Sequence, residues 1–468
     1  MFCQNNCSAG DRNNIMRKKS AQMINSDFAP YAINIHNSRG RIEEEYLPKD
    51  NKNEFHRDLD RIIQSEAFKR LGAKTQVIYS IGSGPSTNRL THSLAVAHIA
   101  ESFAVHLGLN TFAVNAMALG HDLGHTPFGH CGERVLNRVL IDHNMPGFRH
   151  NYQSLLTVNK IEKRYKNICG LNLMYETRDG ILKHTCTGDK INIGYYDSDI
   201  TSNAEHPITL EGQVVGISDE IAQRIHDTAD GLRTNRIDIN ELIKQEIIQD
   251  SLRYSKLNIA NLLAGFHEDK QIIISKIIKS LTNYYIYKTI DNAERNLKKY
   301  HIKYYDDVTK HDISIIAWDK EFLQDDEMYQ KNFLMPKFYQ HLDIQQMDSK
   351  AASFLTELFG CFKKQPALLP QPVFNKFIDA VSTHLQSEMR SATEEYKKEL
   401  SRFLNYGTKR CAATCSYITN SCYIKDEKKS ICPLNKHKKG ACEGIRVIIN
   451  FMAGMTDRDA HREYFKIC

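Results

Sequence analysis

The sequence of 468 residues contains no run of about 18 apolar residues, the length that a membrane-spanning helix requires. Its first twenty residues also lack the apolar central stretch of a secretory signal. We therefore expect a cytoplasmic chain with no membrane contact. In a reducing compartment the twelve cysteines are not expected to form a disulfide framework, so grouped cysteines indicate buried thiols or metal ligands.

A strong excess of either charge is also missing. The 62 Lys and Arg residues and the 56 Asp and Glu residues leave a net charge of only +6. This mild excess suits an anionic ligand but does not by itself indicate a nucleic-acid-binding protein. Hydrophobic residues at 41% and charged residues at 25% are typical of a soluble globular protein and exclude disordered, collagen-like and membrane classes.

No internal repeat or low-complexity linker occurs, and the length fits about three domains or one large helical domain. Apolar residues recur every three or four positions, which predicts an all-α fold. Thr91 is the predicted N-cap of the second helix and Gly108 its predicted stop. The predicted helices cover residues 58–77, 91–109, 111–123, 210–225 and much of 237–405.

Imidazole and carboxylate side chains accompany three of these helices. His121 and Asp122 end an apolar helix, and His92 lies early on the helix before it. Asp219 lies on a later helix, one position off its apolar stripe. Such a set suits a divalent transition metal or magnesium that keeps open positions for water and phosphate. Neighbours on a helix cannot face the same way, so a shared ion requires the helix end to distort. For each residue alone, a helix cap or a hydrogen-bonded core histidine is the alternative.

The segment HDLGHTPFGHCGE, from His121 to Glu133, holds three histidines, two acids and three glycines in thirteen positions. A helix core does not need such chemistry. The sequence here resembles the deoxyguanosine triphosphate triphosphohydrolase family of the HD superfamily of metal-dependent phosphohydrolases. The resemblance covers seven blocks in the expected order: RDLDRIIQSEAFKRLGAKTQV from Arg57, RLTHS from Arg89, the histidine-rich segment, GFRHNYQS from Gly147, GILKH from Gly180, TLEGQVVGISDEIAQRIHDTADGL from Thr209 and AGMTDRDA from Ala453.

The resemblance implies hydrolysis of a deoxynucleoside triphosphate, with dGTP as the first guess, to the deoxynucleoside and inorganic triphosphate. It implies that His130 and Glu133 are catalytic, the carboxylate holding the imidazole tautomer. It also implies a divalent ion, either magnesium, manganese or another transition metal. The implied metal ligands are His92, His121, Asp122 and Asp219.

Further residues match positions at which the family contacts its substrate. His125, grouped with the catalytic residues, and Arg89 match phosphate contacts, and an arginine fork fits phosphate oxygens. Gln76 matches a glutamine that packs on the deoxyribose and reads its 3′-hydroxyl. The remaining substrate-binding candidates are His150, Lys183, His184, Gln223 and Asp227. The first three have a structural role as their alternative, and Gln223 replaces a tyrosine common in relatives, so its contact stays open.

These assignments divide the chain into five parts. They are a polar, loosely ordered arm (1–50), an HD-domain core (51–235), a helical region (236–405), a Cys/Lys-rich insert (406–444) and a helical segment that packs on the core (445–468). The insert contains Cys411, Cys415, Cys422, Cys432 and Cys442. No adjacent pair has the two-residue gap of a zinc knuckle, so reduced thiols without a ligand are favoured. Zinc or iron–sulfur ligation and redox disulfides are the alternatives.

Two other functions remain open at this point. One is a different HD-type phosphohydrolase, such as a nucleotide phosphodiesterase or 5′-nucleotidase. The other is a regulator that binds single-stranded nucleic acid through the lysines of residues 425–439. The resemblance also implies a homo-oligomer, often a hexamer, and single-stranded DNA as a further partner.

Overall fold

The computed structural model describes residues 28–45, 52–77, 87–185, 200, 206–265, 269–311, 313–389 and 438–468. Over these ranges the chain forms 18 α-helices and no β-strand, so the predicted all-α class is confirmed. No helix within them is long and apolar enough to cross a membrane. Four of the five cysteines of the predicted insert lie outside the described residues, and Cys442 is half-buried on a C-terminal helix.

In the described ranges, eight helices precede residue 234. They are α1 (Glu54–Ile63), α2 (Glu66–Leu71), α3 (Arg89–Leu107), α4 (Thr111–Gly120), α5 (Gly129–Asp142), α6 (His150–Leu156), α7 (Tyr175–Lys183) and α8 (Leu210–Arg233). The single helix predicted over 58–77 is wrong, because the side chain of Ser65 caps a new helix by accepting the Phe68 N–H.

Helix α3 begins at a different cap from the predicted one. Asn88 is the N-cap, and Thr91 lies three positions later, where the two residues exchange side-chain-to-backbone hydrogen bonds as a capping box. The prediction of Gly108 as the stop is confirmed. It takes the left-handed conformation with φ of 68°, which glycine adopts without a steric penalty.

Ten more helices lie in the part of the chain that the structure describes after residue 234: α9 (Ile239–Leu242), α10 (Glu246–Tyr254), α11 (Ile259–Gly265), α12 (Lys270–Lys299), α13 (Tyr305–Thr309), α14 (Lys320–Met328), α15 (Leu342–Lys364), α16 (Gln371–Met389), α17 (Lys438–Ala453) and α18 (Asp457–Ile467). A π-helix, Tyr329–Tyr339, continues α14 and contains Pro336.

The buried apolar side chains form two clusters. The larger joins α1, α3, α4 and α8 to the helices that follow α8, with members such as Ile62, Phe103 and Val214. The smaller joins α5 to α15, α16, α17 and α18, with members such as Leu136 and Ile448. Helix α5 therefore packs mainly with the C-terminal helices, although it follows α4 closely in the sequence.

Residues 28–45 pack against the larger cluster and are not loosely ordered as the polar composition predicted. Ala32 and Ile33 are fully buried. The guanidinium of Arg41 donates to the buried carboxylate of Asp58 at 2.6 Å. A few buried apolar residues and one buried ion pair are enough to hold this polar segment in place.

Candidate active site

Helix α4 ends at Gly120, one residue before the histidine and aspartate pair. His121 is its C-cap, and Asp122 lies in the turn that follows. This turn packs closely against α6 and α7: a Cβ at Gly120 would lie 2.6 Å from Ile181 Cδ1, and one at Gly124 would lie 2.1 Å from Ser154 N. The change from helix to turn lets both side chains approach the same point.

The four predicted metal ligands meet at this turn, and we call His92, His121, Asp122 and Asp219 the metal side. His92 Nε2 lies 2.8 Å from Asp219 Oδ1. His121 Nε2 lies 3.6 Å from the same oxygen and 3.4 Å from Asp122 Oδ1. The ligand atoms of His92, His121 and Asp219 lie within 4.8 Å of one another, as do those of His121, Asp122 and His184.

The chemistry of His121 tests whether a metal fits this site. Its Nε2 is buried and has no hydrogen-bond partner among the residues that the structure describes. Burial alone would lower the pKa of His121, but Asp122 and Asp219 outweigh burial and raise that pKa to about 9. The site therefore favours a cation at Nε2, as a divalent metal ligand set requires.

Backbone carbonyl groups fix two of the imidazole rings. His121 Nδ1 donates to the Ala118 carbonyl at 2.6 Å, and His184 Nδ1 donates to the Ile181 carbonyl at 2.8 Å. Each ring therefore presents Nε2 to the centre of the site. Such outer hydrogen bonds set the tautomer of a metal-binding histidine.

His226 is a neighbour of the metal side that sequence reasoning missed. Its Nδ1 lies 3.2 Å from Nδ1 of His92. Burial and the nearby His92 lower the pKa of His226 to about 3, so this ring is neutral and can accept a hydrogen bond. Its position seven residues after Asp219, about two helical turns along α8, was the available signal.

Arg89 lies beside the metal side in a position suited to an anion. It is 1% exposed, and its Nη1 donates to Asp122 Oδ2 at 2.8 Å. Its Nε and Nη2 have no hydrogen-bond partner within the described part of the chain. A buried guanidinium with two unused donor nitrogens is a strong site for a phosphate oxygen.

A second group of side chains, His125, His130, Glu133 and His150, forms what we call the proton side. His125 Nε2 lies 3.2 Å from Asp122 Oδ1, and its ring stacks on His150 with centroids 3.9 Å apart. His150 Nε2 lies 3.3 Å from His184 Nε2. The proton side therefore adjoins the metal side directly.

Glu133 is shared between two histidines. Its Oε1 accepts the backbone N–H of His150 at 2.9 Å and lies 3.1 Å from His150 Nδ1. Its Oε2 lies 3.5 Å from His130 Nδ1. Although burial opposes this, the two rings hold the pKa of Glu133 well below its usual range, so it is ionised. His150 is thus as closely tied to Glu133 as the predicted partner His130.

The structure gives Lys183 a partner away from these histidines. Its ammonium lies 2.6 Å from the buried Asp179 carboxylate one turn earlier on α7. The same carboxylate accepts the N–H of Ile208 at 2.9 Å, which joins α7 to the start of α8. These contacts favour the structural alternative for Lys183.

The candidate sugar contact Gln76 lies on one segment, and the further substrate-binding candidates Gln223 and Asp227 lie on another. Gln76 is buried, and its Oε1 lacks a hydrogen-bond partner in the described ranges. Asp227 accepts a hydrogen bond from the Tyr339 hydroxyl, and burial raises the pKa of Asp227 to about 7. Gln223 lies one turn before Asp227 on α8. Tyr339 ends the π-helix and was not predicted, since nothing in its local sequence distinguishes it.

Comparison with known proteins agrees with this geometry. A family model described as an HD domain matches residues 89–224. HD domains bind divalent metals, and the chain has His/Asp clusters that can hold one. Together the helical fold, the clusters and the match define an HD-domain hydrolase.

Relatives of known name identify the family. A deoxyguanosinetriphosphate triphosphohydrolase-like protein of Leptospira interrogans is 37% identical over 371 residues, 77% of this chain and 90% of the relative. Proteins of the same name from Azoarcus sp. strain BH72 and Nitrosomonas europaea are 37% and 35% identical, over 74% and 80% of this chain and 87% and 96% of theirs. The chain therefore belongs to the deoxyguanosinetriphosphate triphosphohydrolase family of HD-domain phosphohydrolases.

Proposed function

We propose that this chain hydrolyses deoxynucleoside triphosphates, dGTP first among them, to the deoxynucleoside and inorganic triphosphate. The observation that carries the proposal is the position of Arg89, whose buried guanidinium has two donor nitrogens without a partner in the described part of the chain, beside the candidate metal ligand Asp122. A phosphate group drawn to Arg89 would come next to both the metal side and the proton side.

His92, His121, Asp122 and Asp219 would hold a divalent ion, with magnesium and manganese the first choices. When bound, such an ion supplies Lewis-acid polarisation of a phosphoryl oxygen and lowers the pKa of a bound water. Neighbouring groups of the chain orient the ligand atoms. The backbone carbonyl of Ala118 accepts from the ring of His121, and the side chain of His226 contacts the ring of His92.

Arg89 and His125 would bind the phosphates. The fork of Arg89 offers Nε and Nη2, and His125 offers Nδ1, which is buried and also lacks a partner among the described residues. Burial and the nearby Arg89 hold the pKa of His125 well below its usual value, so the ring is neutral before substrate binds and would have to gain a proton to donate from Nδ1 to a phosphate oxygen while Nε2 faces Asp122. A tetra-anionic triphosphate would therefore draw most of its charge neutralisation from Arg89 and the metal side.

His130 would transfer the proton in the reaction, and Glu133 would stabilise its protonated ring. The Nδ1 of His130 faces Glu133, and its side chain is 44% exposed, so Nε2 is the atom placed to exchange a proton with the reacting group. The departing 5′ oxygen needs a proton, and the attacking water must lose one. The ionised Glu133 stabilises the imidazolium form of His130 while that proton is held.

Gln76 and Asp227 would orient the sugar. Gln76 Oε1 is buried without a partner in the described ranges, and Asp227 is hydrogen-bonded to Tyr339. A polar group that loses its hydroxyl partner in a mismatched complex is left buried and unpaired, which rejects that substrate strongly. These residues would favour a sugar with one correctly placed hydroxyl group.

Product analysis tests the proposal. The purified chain is incubated with each of the four deoxynucleoside triphosphates and magnesium or manganese, and we expect equal amounts of triphosphate and deoxynucleoside. Arg89→Lys keeps a charge beside Asp122 but loses the fork, so kcat/KM should fall at least about tenfold. Arg134→Lys, a change at an exposed arginine paired with Asp348, is the control.

Pyrophosphate or orthophosphate as the first product would contradict the proposal and favour another HD-type phosphohydrolase. Binding of single-stranded nucleic acid that survives loss of His121 and Asp122 would favour a regulator. The homo-oligomer, the single-stranded DNA partner and the cytoplasmic location stay predictions.

A further inference from the structure

Asp457, the first residue of α18, connects two distant segments next to the candidate site. It is 4% exposed. Its Oδ1 accepts the backbone N–H of Phe128 at 2.8 Å, and its Oδ2 accepts the backbone N–H of Thr75 at 2.8 Å. Both carboxylate oxygens are therefore used on backbone groups 329 and 382 residues away in the sequence.

Lys74 makes a parallel connection. Its buried ammonium donates to the carbonyl of His125 and, at 2.8 Å, to the carbonyl of Ala453 at the end of α17. Since Lys74 and Thr75 are neighbours, residues 74–75 after α2, the loop of residues 125–129 and the C-terminal helices all meet at one place. We call Lys74 and Asp457 the brace.

The loop that the brace holds has an unusual backbone. Phe128 has φ of 58° and Gly129 has φ of 55°, so two consecutive residues are left-handed. For Phe128 this conformation is sterically unfavourable, and it persists only where the surroundings fix it. A Cβ at Gly129 would lie 2.9 Å from the Gln76 carbonyl oxygen, so the loop packs closely against the segment that carries Gln76 and has no room for a side chain at 129.

This backbone sets the position of His130, which directly follows Gly129 and lies in the first turn of α5. The N-cap of α5 is Phe128, whose side chain provides no capping hydrogen bond. In place of a side-chain cap, the brace holds the start of α5 from outside the helix. Asp457 accepts the Phe128 N–H, and Lys74 donates to the His125 carbonyl. His125 and His130 of the proton side therefore flank a loop that is hydrogen-bonded to the brace, and the brace connects this loop to the C-terminal helices.

We propose that Asp457 is a positioning residue for the reaction, which holds His130 in register with the metal side through the loop of residues 125–129. This proposal rests on the proposed function, because it assigns the proton transfer to His130. A carboxylate is required at 457 because two N–H groups must be accepted at once. An asparagine side chain has one acceptor oxygen and would turn an NH₂ group toward the other N–H.

The first experiment compares Asp457→Asn with Asp459→Asn in the full chain. Asp459 lies two residues on, is hydrogen-bonded to Thr456 in the capping box of α18, and reports the effect of weakening that helix alone. We expect Asp457→Asn to lower kcat about 10- to 100-fold, since small misplacements of reacting groups have effects of this size. Asp459→Asn should change kcat less than about threefold, and both should bind manganese like the parent.

A double-mutant cycle separates positioning from general damage. His130→Ala should lower kcat by about 10²- to 10⁴-fold. If Asp457 acts through His130, adding Asp457→Asn to His130→Ala should cause no more than about a twofold further loss. An equal loss from Asp457→Asn with and without His130, or no loss in either background, overturns the proposal.

Hydrogen exchange tests the brace without reference to activity. Peptides that span residues 123–131 should exchange faster in Asp457→Asn, while peptides of α3 should not change. Unchanged exchange at residues 123–131 overturns the brace whatever the product analysis gives, and faster exchange in a chain that releases no triphosphate rejects the proposed function alone. If Asp457→Asn does not fold, Asp457→Glu, which shifts both oxygens by one methylene, enters the same comparisons.

Discussion

The metal side and the proton side touch each other but are built differently. The metal side stands on α3, the end of α4 and α8, which all contribute to the larger apolar cluster. The proton side stands on α5, α6 and the loop before α5, and α5 packs in the smaller cluster with the C-terminal helices. The metal side is thus supported by the larger cluster, whereas α5, which carries His130 and Glu133, is supported by a distant part of the chain; α6 contributes Leu155 to the larger cluster.

Because of this difference, we expect substitutions in the two halves to have different effects on metal binding and on the reaction rate. Substitutions in the metal side should remove the ion and the reaction together. Substitutions in the brace or at His130 should slow the reaction and leave the metal bound. Metal content measured beside the hydrolysis rate is therefore the readout that distinguishes the halves.

The largest effect is expected at Asp219. Its Oδ1 lies 2.8 Å from His92 Nε2 and 3.6 Å from His121 Nε2. Asp219→Asn removes the charge shared by both rings, so bound metal should be lost and kcat/KM should fall more than about 10³-fold. Glu220→Gln, next on α8 and paired with Arg224, is the control and should retain its metal. If the Asp219→Asn chain binds as much metal as the parent, Asp219 is not a metal ligand.

An intermediate effect is expected at His226. Replacing a hydrogen-bond partner of a metal ligand weakens metal binding about 10- to 100-fold. His226→Leu should therefore raise the dissociation constant for manganese by that factor, whereas His226→Asn, whose side-chain oxygen can accept from His92 Nδ1, should stay near the parent. If titration calorimetry gives the Leu variant and the parent equal affinities for manganese, His226 contributes only to packing.

The smallest effect is expected at Glu211, near the start of the helix that carries Asp219. Its Oε1 accepts the N–H groups of Ile33 and Asn110, each at 3.0 Å. Burial raises the pKa of Glu211 to about 7, with the nearby Glu176 adding to it. A raised pKa means that the folded state holds the proton more tightly, so this stabilisation is present at low pH and lost as pH rises through about 7.

Glu211→Gln should remove that dependence. The free energy of unfolding of the parent minus that of the variant should fall by about 1–3 kcal/mol between pH 5 and pH 8. Urea unfolding at the two pH values measures this difference. A constant difference would mean that Glu211 is ionised throughout, in contrast to the burial that the structure gives it.

The contrast between the halves also explains what the sequence could predict. The all-α class and the Gly108 stop depend on spacing and local conformational preference, and both are confirmed. The meeting of His92, His121, Asp122 and Asp219 was expected from motif blocks that each lie on one helix or turn. These features need little information about the rest of the chain.

Other features depend on contacts that no local pattern encodes. Thr91 and Asn88 are both good caps, and only the capping box selects Asn88. The packing of residues 28–45 depends on buried partners such as Glu211, which accepts the Ile33 N–H from 178 positions along the chain. Lys74, Tyr339 and Asp457 each act through one or two hydrogen bonds to residues more than 50 positions away.

The brace also bears on the order in which the site is assembled during synthesis. Phe128 and Asp457 are 329 residues apart, an interval of tens of seconds at about 5–20 residues per second. Three residues of the metal side are made before Phe128, and the fourth, Asp219, is made early in that interval. A growing chain can therefore bring its metal ligands together well before its proton side is fixed, so nucleotide hydrolysis should begin only with the chain extended through α18.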